Sequence, residues 1–208
     1  MFTGLIQAVG QIRAIAPTQI NIACPDLRPE LKLGDSIAVN GICLTAAELW
    51  SDGFVADLSP ETLSRTNLGV RHQRAVNLEL ALKLGDRLGG HLVSGHVDAI
   101  GHLSQQHFRD QAWELTFTVP PSIQRYLVEK GSIAANGVSL TIAWQQEDHF
   151  GVAMIPHTYI HTNFASLTHG AVINLEIDQV AKYVEKLLSP IAPTSCSPGF
   201  LREHGYLS

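Results

Sequence analysis

The sequence predicts an all-β protein built from two homologous domains in tandem, each of the antiparallel-barrel kind, followed by one C-terminal helix. Three observations predict this. The stretch S-I-A-V-N-G-I-C-L-T, from Ser36 to Thr45, returns as S-I-A-A-N-G-V-S-L-T, from Ser132 to Thr141, with seven of ten positions identical. Strand-like alternation and short apolar runs bounded by Gly, Asn or Asp recur in both halves, for example in Q-I-R-A-I-A and L-T-F-T-V. Turn pairs (Gly34-Asp35, Asn40-Gly41, Asp52-Gly53, Asn136-Gly137) come as often as an antiparallel barrel requires.

The repeat holds along the chain. Cys43 and Ser139 are 139 − 43 = 96 apart, and F-V-A-D-L-S-P-E-T-L-S-R-T-N pairs with F-G-V-A-M-I-P-H-T-Y-I-H-T-N at the same offset. V-N-L-E around Asn77 pairs with I-N-L-E around Asn174 at one residue more. At the front, T-G-L-I-Q-A-V-G-Q-I from Thr3 pairs with S-G-H-V-D-A-I-G-H-L from Ser94. Two copies of this length read as two small domains rather than a solenoid. The expected boundaries are 1–91, then 92–188 with a helix from about residue 178, then a tail over 189–208. D-Q-V-A-K-Y-V-E-K-L-L sets Val180, Tyr183, Val184, Leu187 and Leu188 on one side at helical spacing, with Asp178 as N-cap. Such a helix has nothing to pack on in its own domain and predicts an oligomer seam. The Pro/Ser-rich tail is expected to be loosely held.

Composition narrows the function. The 208 residues suffice for properly buried cores. A net charge of −5 without a Lys/Arg cluster argues against nucleic acid as a partner. The N-terminus lacks the basic leader of a signal peptide, and no stretch nears the ~20 apolar residues of a membrane span. Cys24, Cys43 and Cys196 are odd in number and without a C-x-x-C, which fits reduced thiols in the cytoplasm.

The duplication also sorts residues. Gly4/Gly95, Asn40/Asn136, Gly41/Gly137, Thr45/Thr141, Thr62/Thr158, Thr66/Thr162 and Asn67/Asn163 are the same in both copies. The threonines and asparagines suit a neutral ligand rich in hydrogen-bonding groups, such as a polyol or a heterocyclic dione. The plainer reading makes them strand and turn residues. Other positions differ in chemistry: Leu5 becomes His96, Gly34 Lys130, Cys43 Ser139, Glu61 His157 and Ala81 Asp178. Two like pockets with unlike reactive groups suit a reaction between two molecules of similar shape. His157 and His161 have zinc-helix spacing, but H-T-Y-I-H lacks the glutamate of H-E-x-x-H, so no metal is expected.

The stretches M-F-T-G-L-I, S-I-A-V-N-G-I-C-L-T, L-S-P-E-T-L-S-R-T-N-L-G, G-G-H-L-V-S-G-H-V-D, E-K-G-S-I-A-A-N-G-V-S-L-T, I-P-H-T and A-K-Y-V-E-K-L-L together resemble the riboflavin synthase family, over the chain to Leu188. The resemblance implies two six-stranded Greek-key barrels and a C-terminal helix, a homotrimer held through those helices, and one 6,7-dimethyl-8-ribityllumazine per barrel. It implies transfer of a four-carbon unit between two lumazines, yielding riboflavin and 5-amino-6-(D-ribitylamino)uracil without a cofactor. The active site is expected between the first barrel of one subunit and the second barrel of its neighbour. Assembly with lumazine synthase is left open.

By motif match, substrate contacts fall in the first copy on Phe2, Gly4, Leu5, Ile6, Cys43, Leu44, Thr45, Asp57, Leu58, Ser59, Pro60, Glu61 and Thr62. In the second they fall on Gly95, His96, Val97, Lys130, Ser139, Leu140, Thr141, Met154, Ile155, Pro156, His157, Thr158 and Tyr159. Cys43, His96, Ser139, Thr141 and Asp178 are the expected catalytic residues. His96 and Ser139 are expected to move protons or steady a carbanion. Cys43 either adds to an electron-poor ring carbon or sits against it. Ala99, Asn136 and Tyr159 depart from the family's usual Gly, Asp and Leu, and Tyr159 lies within the expected second pocket. The rival is a non-catalytic lumazine- or flavin-binding antenna protein of the same fold, which the presence of Cys43, His96 and Ser139 disfavours. A flavin reductase would need a nicotinamide-binding G-x-G-x-x-G, and the chain has none.

Overall fold

Strand alternation closes each copy into a barrel. The computed structural model describes residues 1–70, 73–188 and 198–205. The first barrel contains β1 (Ala8–Ala16), β2 (Gln19–Ala23), β3 (Ser36–Val39), β4 (Ile42–Leu49), β5 (Gly53–Asp57) and β6 (Ala75–Leu80). The second contains β7 (Ala99–Arg109), β8 (Ala112–Thr118), β9 (Ser132–Ala135), β10 (Val138–Gln146), β11 (His149–Met154) and β12 (Val172–Ile177). Around the first the order is β1-β2-β5-β4-β3-β6, and the second repeats it, with every neighbouring pair antiparallel. This is the expected pair of six-stranded Greek-key barrels.

The irregularities repeat too. Strand register shifts between Ile12 and Ala14 and, in the second copy, between Leu103 and Gln105. It shifts again between Ala46 and Glu48 and between Ile142 and Trp144. A small barrel needs strongly coiled strands, and bulges supply the extra twist. Inside, Ile20, Ile22, Ile37, Phe54 and Leu78 fill one core, and Leu103, Phe117, Ile133, Phe150 and Phe164 the other.

The barrels meet through amides. Asn40-Gly41 and Asn136-Gly137 turn β3 into β4 and β9 into β10 with both residues at positive φ, the geometry of a two-residue hairpin. The asparagines then join Asn67, Asn77, Asn163 and Asn174 in a buried network related by a pseudo-twofold axis. Asn77 Nδ2 donates to Asn136 O (2.9 Å) and Asn163 Oδ1 (3.0 Å), and Asn174 Nδ2 donates to Asn40 O (2.9 Å) and Asn67 Oδ1 (3.0 Å). Asn163 N–H donates to Asn77 Oδ1 (2.6 Å) and Asn67 N–H to Asn174 Oδ1 (2.7 Å). The plainer reading therefore holds for the shared asparagines: they join barrels and do not face a ligand. Thr66 likewise donates its hydroxyl to Thr62 O (2.6 Å) at a helix end.

Short helices α1 (Pro60–Arg65), α2 (Pro121–Gln124) and α3 (Pro156–Ile160) follow strands, and α4 (Gln179–Leu188) follows β12. Asp178 Oδ1 caps α4 by accepting from Val180 N–H (2.9 Å). Contrary to expectation, α4 does dock on its own domain, through charges: Lys182 pairs with Asp98 (2.7 Å) and Arg125 with Glu185 (2.8 Å). Its apolar side stays open, with Leu187 83% and Leu188 77% exposed. The tail also holds a short helix, α5 (Pro198–Glu203), in which Leu201, Arg202 and Glu203 are good helix formers. The rest of the expected loose tail, 189–197 with Cys196 and 206–208, lies outside the described residues. No described helix is long and apolar enough to cross a membrane.

Candidate functional site

Alternation along β4 buries Ile42 and Leu44 in the barrel and turns Cys43 and Thr45 outward; along β10 it does the same for Ser139 and Thr141. Each outward pair lies beside a glycine loop from the other copy. Cys43 N–H donates to Gly95 O (2.8 Å), and Ser139 N–H donates to Gly4 O (2.8 Å). Gly4 and Gly95 have φ of +76° and +85°, and a Cβ on either would lie 2.6 Å from Ser139 Cβ or 2.5 Å from Cys43 Cβ. Only glycine fits there. The crossing extends to packing: Ile6 rests on the second core and Val97 on the first.

The crossing corrects the sequence-based grouping, which set His96 with Ser139 and Thr141 on the second barrel. Within one chain, the loop carrying His96 sits on the first barrel beside Cys43. The loop carrying Leu5 sits on the second barrel beside Ser139. Sequence periodicity describes strands and is silent on which barrel a loop overlies.

Two carboxylates hold the loops. Glu79 accepts from Thr3 N–H (2.6 Å), the Thr3 hydroxyl (2.7 Å) and Gly4 N–H (2.9 Å). Glu176 accepts from Ser94 N–H (2.7 Å), the Ser94 hydroxyl (2.7 Å), Gly95 N–H (3.0 Å) and His96 N–H (3.1 Å). Burial pushes both carboxyls above the usual carboxylate range, while the donors aimed at them pull the other way. Sequence reasoning missed both, although the Glu closing V-N-L-E and I-N-L-E was a visible signal: a charge kept twice inside an apolar strand.

It also missed His91. This imidazole is 8% exposed, its Nδ1 lies 2.7 Å from Ser139 Oγ, and its Nε2 is buried without a partner. Burial pushes its pKa below the usual histidine value, and the Asp178 carboxylate partly offsets this.

The remaining expected site residues divide by exposure. Leu5, Thr45, Asp57, Ser59, Pro60, Glu61, His96, Lys130, Thr141, Ile155 and His157 are exposed; Ile6, Thr62, Val97, Pro156, Thr158 and Asp178 are half-buried. Phe2 is fully buried between the barrels with Ala38, Val93 and Ala134. Leu44, Leu58, Leu140 and Met154 belong to the cores, as does Tyr159, whose ring stacks on Trp113 at 3.9 Å. The α1 and α3 turns differ. Ser59 caps α1 and hydrogen-bonds the Thr62 hydroxyl (2.8 Å), whereas Ile155 in its place offers α3 and Thr158 no side-chain oxygen. The Glu61–Arg65 ion pair gives way to His157 and His161, rings 4.2 Å apart. No cluster with the makings of a metal site occurs among the described residues.

Residues 3–81 and 94–178 each match the lumazine binding domain, the two halves of the duplication. The chain is 41% identical to riboflavin synthase of Photobacterium phosphoreum over the whole of both chains. The chain belongs to the riboflavin synthase family. Family relatives include the riboflavin synthases of Mycobacterium tuberculosis strain H37Rv, 44% identical over 90% of this chain and 98% of that one, and of Bacillus subtilis strain 168, 37% identical over 99% and 100%. Among solved structures, LumP complexed with riboflavin superposes with a TM-score of 0.78 at 23% identity, covering 85% of this chain and 99% of that one. LumP complexed with 6,7-dimethyl-8-(1'-D-ribityl) lumazine gives 0.76 at 24%, covering 85% and 98%. At that identity the likeness is one of fold.

Proposed function

We propose that the chain is a riboflavin synthase, a transferase that moves a four-carbon unit between two 6,7-dimethyl-8-ribityllumazine molecules and releases riboflavin and 5-amino-6-(D-ribitylamino)uracil. The observation that carries the reading is the pair of crossed half-sites: the same strand, loop and buried carboxylate twice, with Cys43 in one and Ser139 in the other. Each half holds one lumazine outside its barrel wall, the dione against strand and loop backbone, the hydroxyls near Thr45 and Thr62 or Thr141 and Thr158. One lumazine loses a proton from its C7 methyl, and the other is attacked. His96 and Ser139 serve proton movement or steady the carbanion; Lys130 and Asp178 place charge beside the second ring. Orienting two reactants supplies much of the rate.

A complete site needs a first barrel and a second barrel facing one another across a subunit boundary. The exposed apolar side of α4 supports a homotrimer joined through these helices. The cytoplasm is the compartment that suits a biosynthetic enzyme with a half-buried free thiol at Cys43. The test is purified protein with lumazine alone. One riboflavin per two lumazines consumed, with an equal amount of the pyrimidine, supports the reading. Tight binding without product favours an antenna protein.

A further inference from the structure

We propose that His91 is a positioning residue for the reaction: it takes the proton of the Ser139 hydroxyl, so that the Ser139–His91 couple removes the C7-methyl proton of the lumazine on the second barrel. The inference rests on the proposed function and deepens it, since it assigns the deprotonated substrate to the second barrel and the attacked one to the first.

The geometry is built for one purpose. Ser139 Oγ lies 2.7 Å from His91 Nδ1. The residue before this histidine is Gly90, where a Cβ would lie 2.1 Å from Thr3 O and 2.9 Å from Ser139 Oγ. His91 N–H is itself fixed on Thr3 O (3.2 Å). Three short backbone approaches, at Gly4, Gly90 and His91, therefore hold one hydroxyl against one ring nitrogen. A buried, uncharged imidazole is an acceptor for that hydroxyl proton. The Asp178 carboxylate, whose charge His91 feels, steadies the imidazolium that results. In the Cys43 half-site the imidazole at hand is the exposed His96, next in the chain to the Gly95 that Cys43 N–H meets, so the two half-sites differ in how an imidazole is held as well as in nucleophile.

The step balances. The methyl C–H bond breaks, and its electron pair stays on the carbon and spreads into the pteridine. The released proton forms the new O–H bond of Ser139 while the original hydroxyl proton moves to His91 Nδ1. Nothing is oxidised or reduced, and the reverse transfers restore the couple.

The experiment compares wild type, His91→Asn, Ser139→Ala and the double variant in steady-state turnover of lumazine. Asparagine can hydrogen-bond the hydroxyl but cannot take its proton. The expected result is a fall in kcat of about 100-fold in His91→Asn with KM within about threefold, and no further fall when Ser139→Ala is added. Wild-type kcat in His91→Asn, or losses that multiply, would overturn the proposal. A second measurement needs no variant: nitrogen NMR of the wild-type histidines. Nδ1 of His91 is expected unprotonated, and a proton on it would contradict the couple. If wild type makes no riboflavin, the proposed function fails instead, which keeps the two failures apart.

Discussion

In the first barrel Cys43 stands under the carbonyl of Gly95; in the second Ser139 stands under the carbonyl of Gly4 and against the His91 ring. Around these residues the barrels agree closely: strand order, both bulges, the Asn-Gly turns and the glutamates under the glycine loops all recur. The differences lie in side chains pointing away from the barrel walls or sitting at loop ends. Duplication has kept the strand, glycine loop and glutamate around each of these positions, and substitution has changed the side chains that stand there. Because each strand meets a loop from the other copy, neither barrel forms this arrangement alone.

The comparison can first be strained at the amides. Asn174→Ala removes the bonds of one side chain to Asn40 and Asn67 and leaves buried partners unpaired, which should cost about 3 kcal/mol. Asn77→Ala should cost the same within about 1 kcal/mol, read by urea denaturation; a large cost on one side only would break the pseudo-twofold account. The glutamates sharpen it next. Glu176→Gln turns an amide group into donors already aimed at it and should destabilise by about 2 kcal/mol, more than Glu79→Gln, because Glu176 also holds His96 N–H. Equal costs would show that the extra bond is idle.

The smallest effect is a pH dependence confined to the second barrel. Burial makes the His91 imidazole harder to protonate in the folded state, whereas in the unfolded chain it takes a proton below its ordinary value of 6.5. Its contribution is then full above that pH and falls away on acidification. The stability gap between wild type and His91→Asn should therefore narrow from pH 7.5 to pH 5.5, and a constant gap would contradict the burial argument.

Much of this was legible in the sequence, for local reasons. Alternation of Ile42, Cys43, Leu44 and Thr45 fixes which side chains leave the barrel, the Asn-Gly pairs demand hairpins, and the spacing from Val180 to Leu188 fixes α4. The crossing of Phe2–Ile6 and Ser94–Val97 was not legible, because a loop's host depends on tertiary contacts such as the Phe2–Val93 bridge. The buried asparagines of the shared pairs Asn40/Asn136 and Asn67/Asn163 resembled ligand groups for a related reason. A polar residue kept in both copies satisfies a shared ligand and a shared interface equally well.

The crossed arrangement is the central claim, and the thiol of Cys43 reports on it directly. Its alkylation is followed by peptide mapping with and without riboflavin; Cys24 reacts slowly, being buried with its thiol pushed up to about 11. Riboflavin should shield Cys43 in wild type and in Gly4→Ala, while Gly95→Ala, a substitution in the second copy, should abolish the shielding. Shielding lost in Gly4→Ala and kept in Gly95→Ala would mean that each barrel builds its half-site from its own loop.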